Sequence, residues 1–596
     1  MAKLLVVGGA SLDTLHLQNR TYHSAGGAGM YTSMAAIRCG VSTSMFAPKP
    51  EPMPDKLKEI EKRLDRWFGP TVKPADLPHF EIEHCGEKAN YLHTSIGAES
   101  LLRIDQLPAD LGEFDCIHFT PLGDSDLQFQ FIHACRQKGA RLISGGTYLC
   151  MIKEKRQSIL QSLEIADVFF MNEEEACLIF GSSEKITTKP GKLLFVTMGE
   201  KGCMVIQGSH HTFLKSIPSQ VFDPTGAGDS FCGATLAALL QGEHPVIAAQ
   251  KGMALASEEI REVGPKALLK KEPAPAATIH ASVRLNHEQI EKISRLVNKS
   301  SAASPSDFTG KDFPPAFHPK TLDYFFATIL QQFSFWEEKD GYYDHPLIAS
   351  IDGDYLKGSA YLFRAFVRLL DSDPDFYSPE RQTSLTLEDM QQLFKADDGS
   401  DPMPALELHH KMAVDYGRDM LAAGKTPQGI LALAKASSNP LKTFLHELDQ
   451  IGGYKEDPLR KKSNLLALVL NQRPEAFLSF GGEESVPPVI DYHTMRSCLR
   501  MGLVEILDGK LKEKIEARKT ITEDEEWAIR YACYLAVEDV VKISGKSLGA
   551  VDWFFFYYSR QHCPEMTEPV CGQCAANEVC AHRKSLFQPV IRTTYY

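Results

Sequence analysis

The chain has 596 residues, too many for one hydrophobic core, and at roughly 150 residues per domain it should fold as two large domains or more. Its net charge of −13, from 77 acidic against 64 basic side chains, argues against wide coverage of nucleic-acid phosphates, which needs a basic surface to release counterions. No run approaches the ~18 apolar residues of a membrane helix, so no membrane span is expected and small molecules become the favoured partners.

Lys3–Val7 reads as a buried strand broken by Gly8 and Gly9 rather than as a signal peptide, so a cytoplasmic location is expected. The turn after it delivers Asp13, an acceptor suited to sugar hydroxyls. Ser24-Ala25-Gly26-Gly27-Ala28-Gly29 then opens a helix through 34–37; such a cluster serves either tight packing or close approach of a ligand. Tyr31 follows, a ring that stacks on a base or fills core. Between 114 and 188, strand-like runs at 116–119, 141–144 and 168–171 alternate with helical segments at 128–138 and 156–164. This alternation predicts an α/β fold with a parallel sheet and crossover helices. Asn172-Glu173-Glu174-Glu175 stands where the last of these strands ends, and carboxylates suit a helix start. A strand at 194–197 runs into Met198-Gly199-Glu200-Lys201-Gly202.

The sheet then meets Asp223-Pro224-Thr225-Gly226-Ala227-Gly228-Asp229-Ser230-Phe231, followed by an apolar run to Leu240. Small residues let backbone amides close on an anion at the positive end of a helix, and Asp229 in the first turn would stand beside it to take a proton. A turn and cap is the plainer alternative. The full string closely resembles the signature of ribokinase-like (PfkB) sugar and nucleoside kinases, whose catalytic base is its second Asp. The resemblance covers about residues 1–275 and implies a ribokinase-like α/β domain, a mostly parallel sheet with flanking helices. It implies Asp229 as base and Asp13, Gly26, Gly27 and Tyr31 at the substrate. Asn172, Glu175, Thr197, Gly199, Thr225, Gly226, Ala227 and Gly228 would hold ATP, its phosphates and Mg2+. Tyr31 stands where many sugar kinases have Asn, which points away from a simple hexose or ribose.

A Pro/Ala-rich stretch at 270–277 and a polar one at 300–315 place a linker over 276–315. Beyond it, amphipathic periods at 322–332, 360–370, 385–396, 406–423, 465–471 and 525–543 predict a mainly α domain over 316–596. Of fourteen cysteines, ten are scattered like reduced buried thiols, while Cys563, Cys571, Cys574 and Cys580 crowd into the last 34 residues. Four thiolates so close in sequence can hold a 4Fe-4S cluster or zinc. Zinc usually takes two C-x-x-C pairs and only one is present, so the cluster is expected.

The spacing C-x7-C-x2-C-x5-C resembles the iron-sulfur loop of endonuclease III-like DNA glycosylases, C-x6-C-x2-C-x5-C, with one extra residue. The segment 486–502 resembles the catalytic-Asp segment of that superfamily, with Asp491 in the acid's place. The preceding Phe480-Gly481-Gly482-Glu483-Glu484-Ser485 is acidic and does not match the hairpin that grips duplex DNA. Phe333-Ser334-Phe335-Trp336 and Asp491-Tyr492 resemble elements of the queuosine-salvage nucleotide glycosylases, which have a DNA-glycosylase-like fold and release queuine from queuosine 5'-monophosphate. Gln332 replaces that family's Asn, and the residues after Tyr492 differ. The resemblance implies Asp491 as the catalytic carboxylate and Phe333, Phe335, Trp336 and Tyr492 at the base; a helix cap and core aromatics are the alternatives.

The combined expectation is ATP-dependent 5'-phosphorylation of a nucleoside, queuosine or a related 7-deazaguanosine, followed by N-glycosidic hydrolysis to queuine and ribose 5-phosphate. Arg496, Arg500 and Lys357 are candidate cations for the phosphate. The expected partners are the nucleoside and its 5'-monophosphate, without nucleic acid or membrane, and a homodimer is left open. The alternatives are a sugar or nucleoside kinase fused to an iron-sulfur DNA glycosylase, or to a helical binding module.

Overall fold

The computed structural model describes residues 2–85, 88–182, 185–275, 279–300, 306–481 and 484–596. Ala276 and Ala277 of the expected linker, 301–305 of the polar stretch, and Gly482 and Glu483 of the acidic approach lie outside the described residues. The chain divides into two units, Met1–Thr278 and Ile279–Tyr596.

The first unit opens with β1 (Lys3–Val7), β2 (Ser11–Leu17), β3 (Arg20–Gly26), α1 (Ala28–Arg38), β4 (Ser42–Phe46), β5 (Trp67–Phe68), β6 (His79–Cys85) and β7 (Lys88–Ser95). It continues with β8 (Cys116–Phe119), α2 (Ser125–Gln137), β9 (Ile143–Gly146), α3 (Leu149–Ile165), β10 (Val168–Asn172), α4 (Glu173–Phe180) and β11 (Leu193–Thr197). The hairpin β12 (Gly202–Gln207) and β13 (His210–Lys215) precedes α5 (Ala227–Gln241) and α6 (Pro245–Glu259). The main sheet has the order β13-β12-β11-β10-β9-β8-β1-β4-β5; it is parallel from β5 to β11 and antiparallel at the β12–β13 edge. Strand alternation sends Leu5, Val7 and Ile117 to a core with Phe131 and Ile159 of α2 and α3. Leu4, Val6 and Cys116 go to the other face, with Phe231 and Leu236 of α5. Burial on both faces explains why these strands read as continuous apolar runs. A smaller sheet, β3-β2-β6-β7, carries Asp13 on β2. The expected α/β architecture is therefore present.

The second unit is mostly helical. It contains β14 (Val283–Leu285), α7 (His287–Lys299), α8 (Thr321–Ile329), the hairpin β15 (Trp336–Lys339) and β16 (Tyr342–Pro346), and α9 (Lys461–Gln472). After these come α10 (Tyr492–Met501), β17 (Val504–Ile506), α11 (Glu523–Ser544) and α12 (Leu548–Gln561). The structure differs here from the expected linker over 276–315. Ile290, Ile293 and Val297 recur at helical spacing and are buried in the second unit's core, and β14 pairs with β17. None of the described helices is long and apolar enough to cross a membrane.

Candidate functional site

The glycine turn of the first unit is held by Asp223, a buried carboxylate whose Oδ1 accepts from Thr225 N (3.0 Å) and Oδ2 from Gly264 N (2.8 Å). Gly226 caps α5 at φ 81°, and a Cβ there would fall 2.5 Å from the Tyr31 ring, so only glycine fits. The first intrahelical bond runs from Ser230 N to Gly226 O (2.8 Å). The amides of Gly228 and Asp229 precede it at the positive end of the helix, which suits them to an anion. Asp229 is half-buried, and burial pushes its carboxyl up to about 7. That value matches a proton acceptor working near neutrality.

Asp13 is buried, its Oδ1 accepts from Phe80 N (3.2 Å), and burial pushes it up to about 6. A Cβ on Gly26 would fall 1.8 Å from Asp13 Oδ2, so the glycine admits this carboxylate. Asn172 and Glu175 cap one another: Glu175 N donates to Asn172 Oδ1 (2.9 Å) and Asn172 N to Glu175 Oε2 (2.8 Å). Burial first, and then the Asp229 charge, push Glu175 up to about 7. Thr197 pairs with Asn172 across β10 and β11, and Gly199 opens the next turn at φ 56°. Tyr31 is placed differently from the substrate-stacking role expected of it. It is 1 % exposed and lies against Gly226 among the charges of Glu259, Asp223, Asp13 and Asp229, as core.

In the second unit Asp491 is the N-cap of α10, its Oδ1 accepting from Thr494 N (2.8 Å). Two ionisable groups that sequence reading missed lie within its electrostatic reach. Lys461 is buried at the start of α9, donates to Gln332 O (2.8 Å), and is depressed to about 8 by burial against the pull of Asp491. Asp552 on α12 is pushed up to about 8 by burial, with Asp491 adding and Lys461 opposing. The only sequence signal for Lys461 is a Lys-Lys pair opening a helix whose middle, Leu465–Leu470, is apolar.

The aromatic string is more deeply placed than the base-stacking expectation. Phe333 is fully buried; its ring stacks on His409 at 4.2 Å, and the Lys462 ammonium lies 5.0 Å from its centroid. It is core. Phe335 and the Tyr492 hydroxyl each lie within 4 Å of where a Cβ on Gly358 would stand, and Trp336 stacks with Tyr343. Gln332 Nε2 and Trp336 Nε1 are buried without a hydrogen-bond partner among the described residues.

Of the three candidate phosphate cations, Arg496 is fully buried on Gln588 (2.7 Å), and Arg500 donates to Leu586 O, Cys563 O and Pro564 O. Lys357 keeps partial exposure while pairing with Glu565 (2.8 Å). Against the cost of burial, Arg496, His493 and Lys357 hold the Glu565 carboxyl well below the usual range.

Cys563, Cys571, Cys574 and Cys580 line one narrow cavity with Arg500, His562 and His582. Arg500 Nη1 lies 3.3 Å from Cys563 Sγ, and His582 N donates to Cys580 Sγ (3.4 Å). Among the described residues, no three His, Cys, Asp or Glu side chains are grouped to hold a metal ion.

Residues 112–272 match the pfkB family carbohydrate kinases, and residues 314–455 match the queuosine salvage proteins. The chain joins a kinase domain to a queuosine salvage domain. The cytidine kinase of Thermococcus kodakarensis is 26 % identical over 277 residues, 44 % of this chain and 98 % of its own. The 2-dehydro-3-deoxygluconokinase of Escherichia coli K12 is also 26 % identical, over 36 % of this chain and 81 % of its own. Among solved structures, the Burkholderia thailandensis nucleoside kinase in complex with inosine is 17 % identical, with a TM-score of 0.38 over 46 % of this chain and 95 % of that one. The match to the queuosine salvage family ends before Lys461, Asp491, Asp552 and the cysteine loop. The kinase match contains Asn172, Glu175 and the whole glycine turn with Asp229, while Asp13, Gly26 and Gly27 lie upstream of it.

Proposed function

We propose that the kinase domain phosphorylates the 5'-hydroxyl of a nucleoside, queuosine or a related 7-deazaguanosine, and that the second domain hydrolyses the 5'-monophosphate. Asp229 takes the hydroxyl proton while that oxygen attacks the γ-phosphorus of ATP and ADP leaves. Asp13 orients the sugar. The Gly228 and Asp229 amides receive the transferring phosphoryl oxygens, and Asn172 and Glu175 offer oxygen donors suited to Mg2+. The observation that carries this step is Asp229 in the first turn of α5, raised to about 7 beside amides that precede the helix's own acceptors.

In the second domain, Asp491 steadies the ribose cation as the N-glycosidic bond breaks, and Lys461 offsets its charge. Asp552, raised to about 8, delivers a proton to the departing base, and water adds at the sugar carbon to give ribose 5-phosphate. The buried donors of Gln332 and Trp336 support a polar ligand nearby, because unpaired buried donors are costly. Lys357 is the cation best suited to the phosphate.

Cys563, Cys571, Cys574 and Cys580 would hold a 4Fe-4S cluster, with a structural role. Their shared cavity and the N–H groups beside Cys563 and Cys580 Sγ support that reading, and the four thiols would draw together on binding, since no three of them are grouped for a metal among the described residues. A brown protein with broad visible absorption that is lost in Cys571→Ser would bear it out; a colourless protein carrying zinc would overturn it.

The decisive experiment incubates the full chain with queuosine, Mg2+ and ATP. Free queuine that appears only with ATP is the expected result. A phosphorylated nucleoside that persists would leave a kinase with a helical appendage.

A further inference from the structure

Two large aromatic side chains stand exposed where the smaller sheet of the kinase domain meets the ends of the main strands. Tyr91 on β7 is 45 % exposed, and Tyr148, just before α3, is 36 % exposed. Their ring centroids are 6.3 Å apart at 70°, and Phe80 also meets Tyr91 edge-on at 6.3 Å. The strand register fixes which way Tyr91 faces. Tyr91 sits opposite Ile82 and Ile82 opposite Leu15, two residues from Asp13, so alternation puts Tyr91 and Asp13 on the same face of that sheet. The charges of Asp229 and Asp13 both reach the Tyr91 hydroxyl, and that of Glu175 reaches Tyr148. The pair therefore flanks the acids assigned above to the reacting sugar.

Single exposed aromatics on a surface need no explanation. Two that converge, one from a strand of the smaller sheet and one from the turn after β9, at the edge of an acid-lined site do. A sugar ring can lay a C–H face on one of them, but a purine-like or pyrimidine ring offers the larger flat face, and such stacking depends on the ring face rather than on one hydrogen-bond pattern. The 6.3 Å edge contact leaves no space for a base between the rings, and at 70° a flat base stacks on the face of one ring and meets the other along its edge.

We propose that Tyr91 and Tyr148 form the seat for the nucleobase in the kinase domain, replacing the buried Tyr31 in that role and selecting nucleosides over free sugars. This rests on the reading of the domain as a nucleoside 5'-kinase.

The test uses the full chain carrying Tyr91→Ala, Tyr148→Ala, or Phe at either position, with queuosine as acceptor at saturating Mg2+ and ATP. Each Ala variant should raise the KM for queuosine roughly tenfold, with kcat within about twofold of the parent, and Phe should restore KM because it keeps the ring face. Parent activity on queuosine with unchanged KM in both Ala variants would overturn the seat while leaving the nucleoside reading intact. A parent that phosphorylates ribose but not queuosine, guanosine or cytidine would overturn both. An Ala variant that loses kcat as well, without rescue by Phe, would mark the rings as structural and also overturn the seat.

Discussion

Asp229 and Asp491 both stand at helix starts, yet the two helices use them differently. In α5 the capping is done by glycine, with Gly226 at φ 81° and Asp223 fastening the turn, so Asp229 carries no capping duty. In α10 the acid is itself the cap, and Asp491 commits Oδ1 to Thr494 N. An acid spared from capping can be desolvated and tuned as a base. An acid that caps is fixed in orientation, which suits electrostatic support of a neighbouring cation better than proton transfer.

The largest test of this contrast is Asp229→Asn, which should lower phosphorylation by about 10²–10⁴-fold while base release from supplied queuosine 5'-monophosphate persists. Next comes Asp491→Asn. Asparagine keeps the cap, so α10 should stay folded by circular dichroism while base release falls about 10²-fold or more and phosphorylation is unchanged. Retained base release in that variant would reduce Asp491 to a cap. Phe333→Ala should cost ~3–5 kcal/mol of second-domain stability by thermal melting, with phosphorylation intact, because the ring is core. The smallest effect is in pH. Phosphorylation should rise through about 7 as Asp229 loses its proton, and base release should fall above about 8 as Asp552 loses its own. Assaying each step separately from pH 6 to 9 checks both arms.

Most of the kinase domain is legible locally. Strands β1, β8, β10 and β11 of its main sheet are short apolar runs, and the glycine turn is contiguous, so for these period and motif suffice. Tyr91 and Tyr148 are not legible, since they meet only through pairing of β2 with β6 and of β6 with β7 and through the end of β9. Tyr31 and Phe333 fail for another reason: an aromatic beside glycines or other aromatics reads the same whether it faces a ligand or the interior. The 287–299 helix was hidden by polar flanks, although Ile290, Ile293 and Val297 carry the helical period. In the second domain Asp491 has a local signature, while Lys461 and Asp552 reach it from other helices.

The cysteine tail is tied to α10 at two heights. Arg500 grips the carbonyls of Cys563 and Pro564 near one end of the helix, and Glu565 reaches His493 and Arg496 nearer the other. Loosening the tail would therefore be felt along α10, the helix that Asp491 caps. Amide exchange along α10 after oxidation of the tail's cysteines would record that coupling.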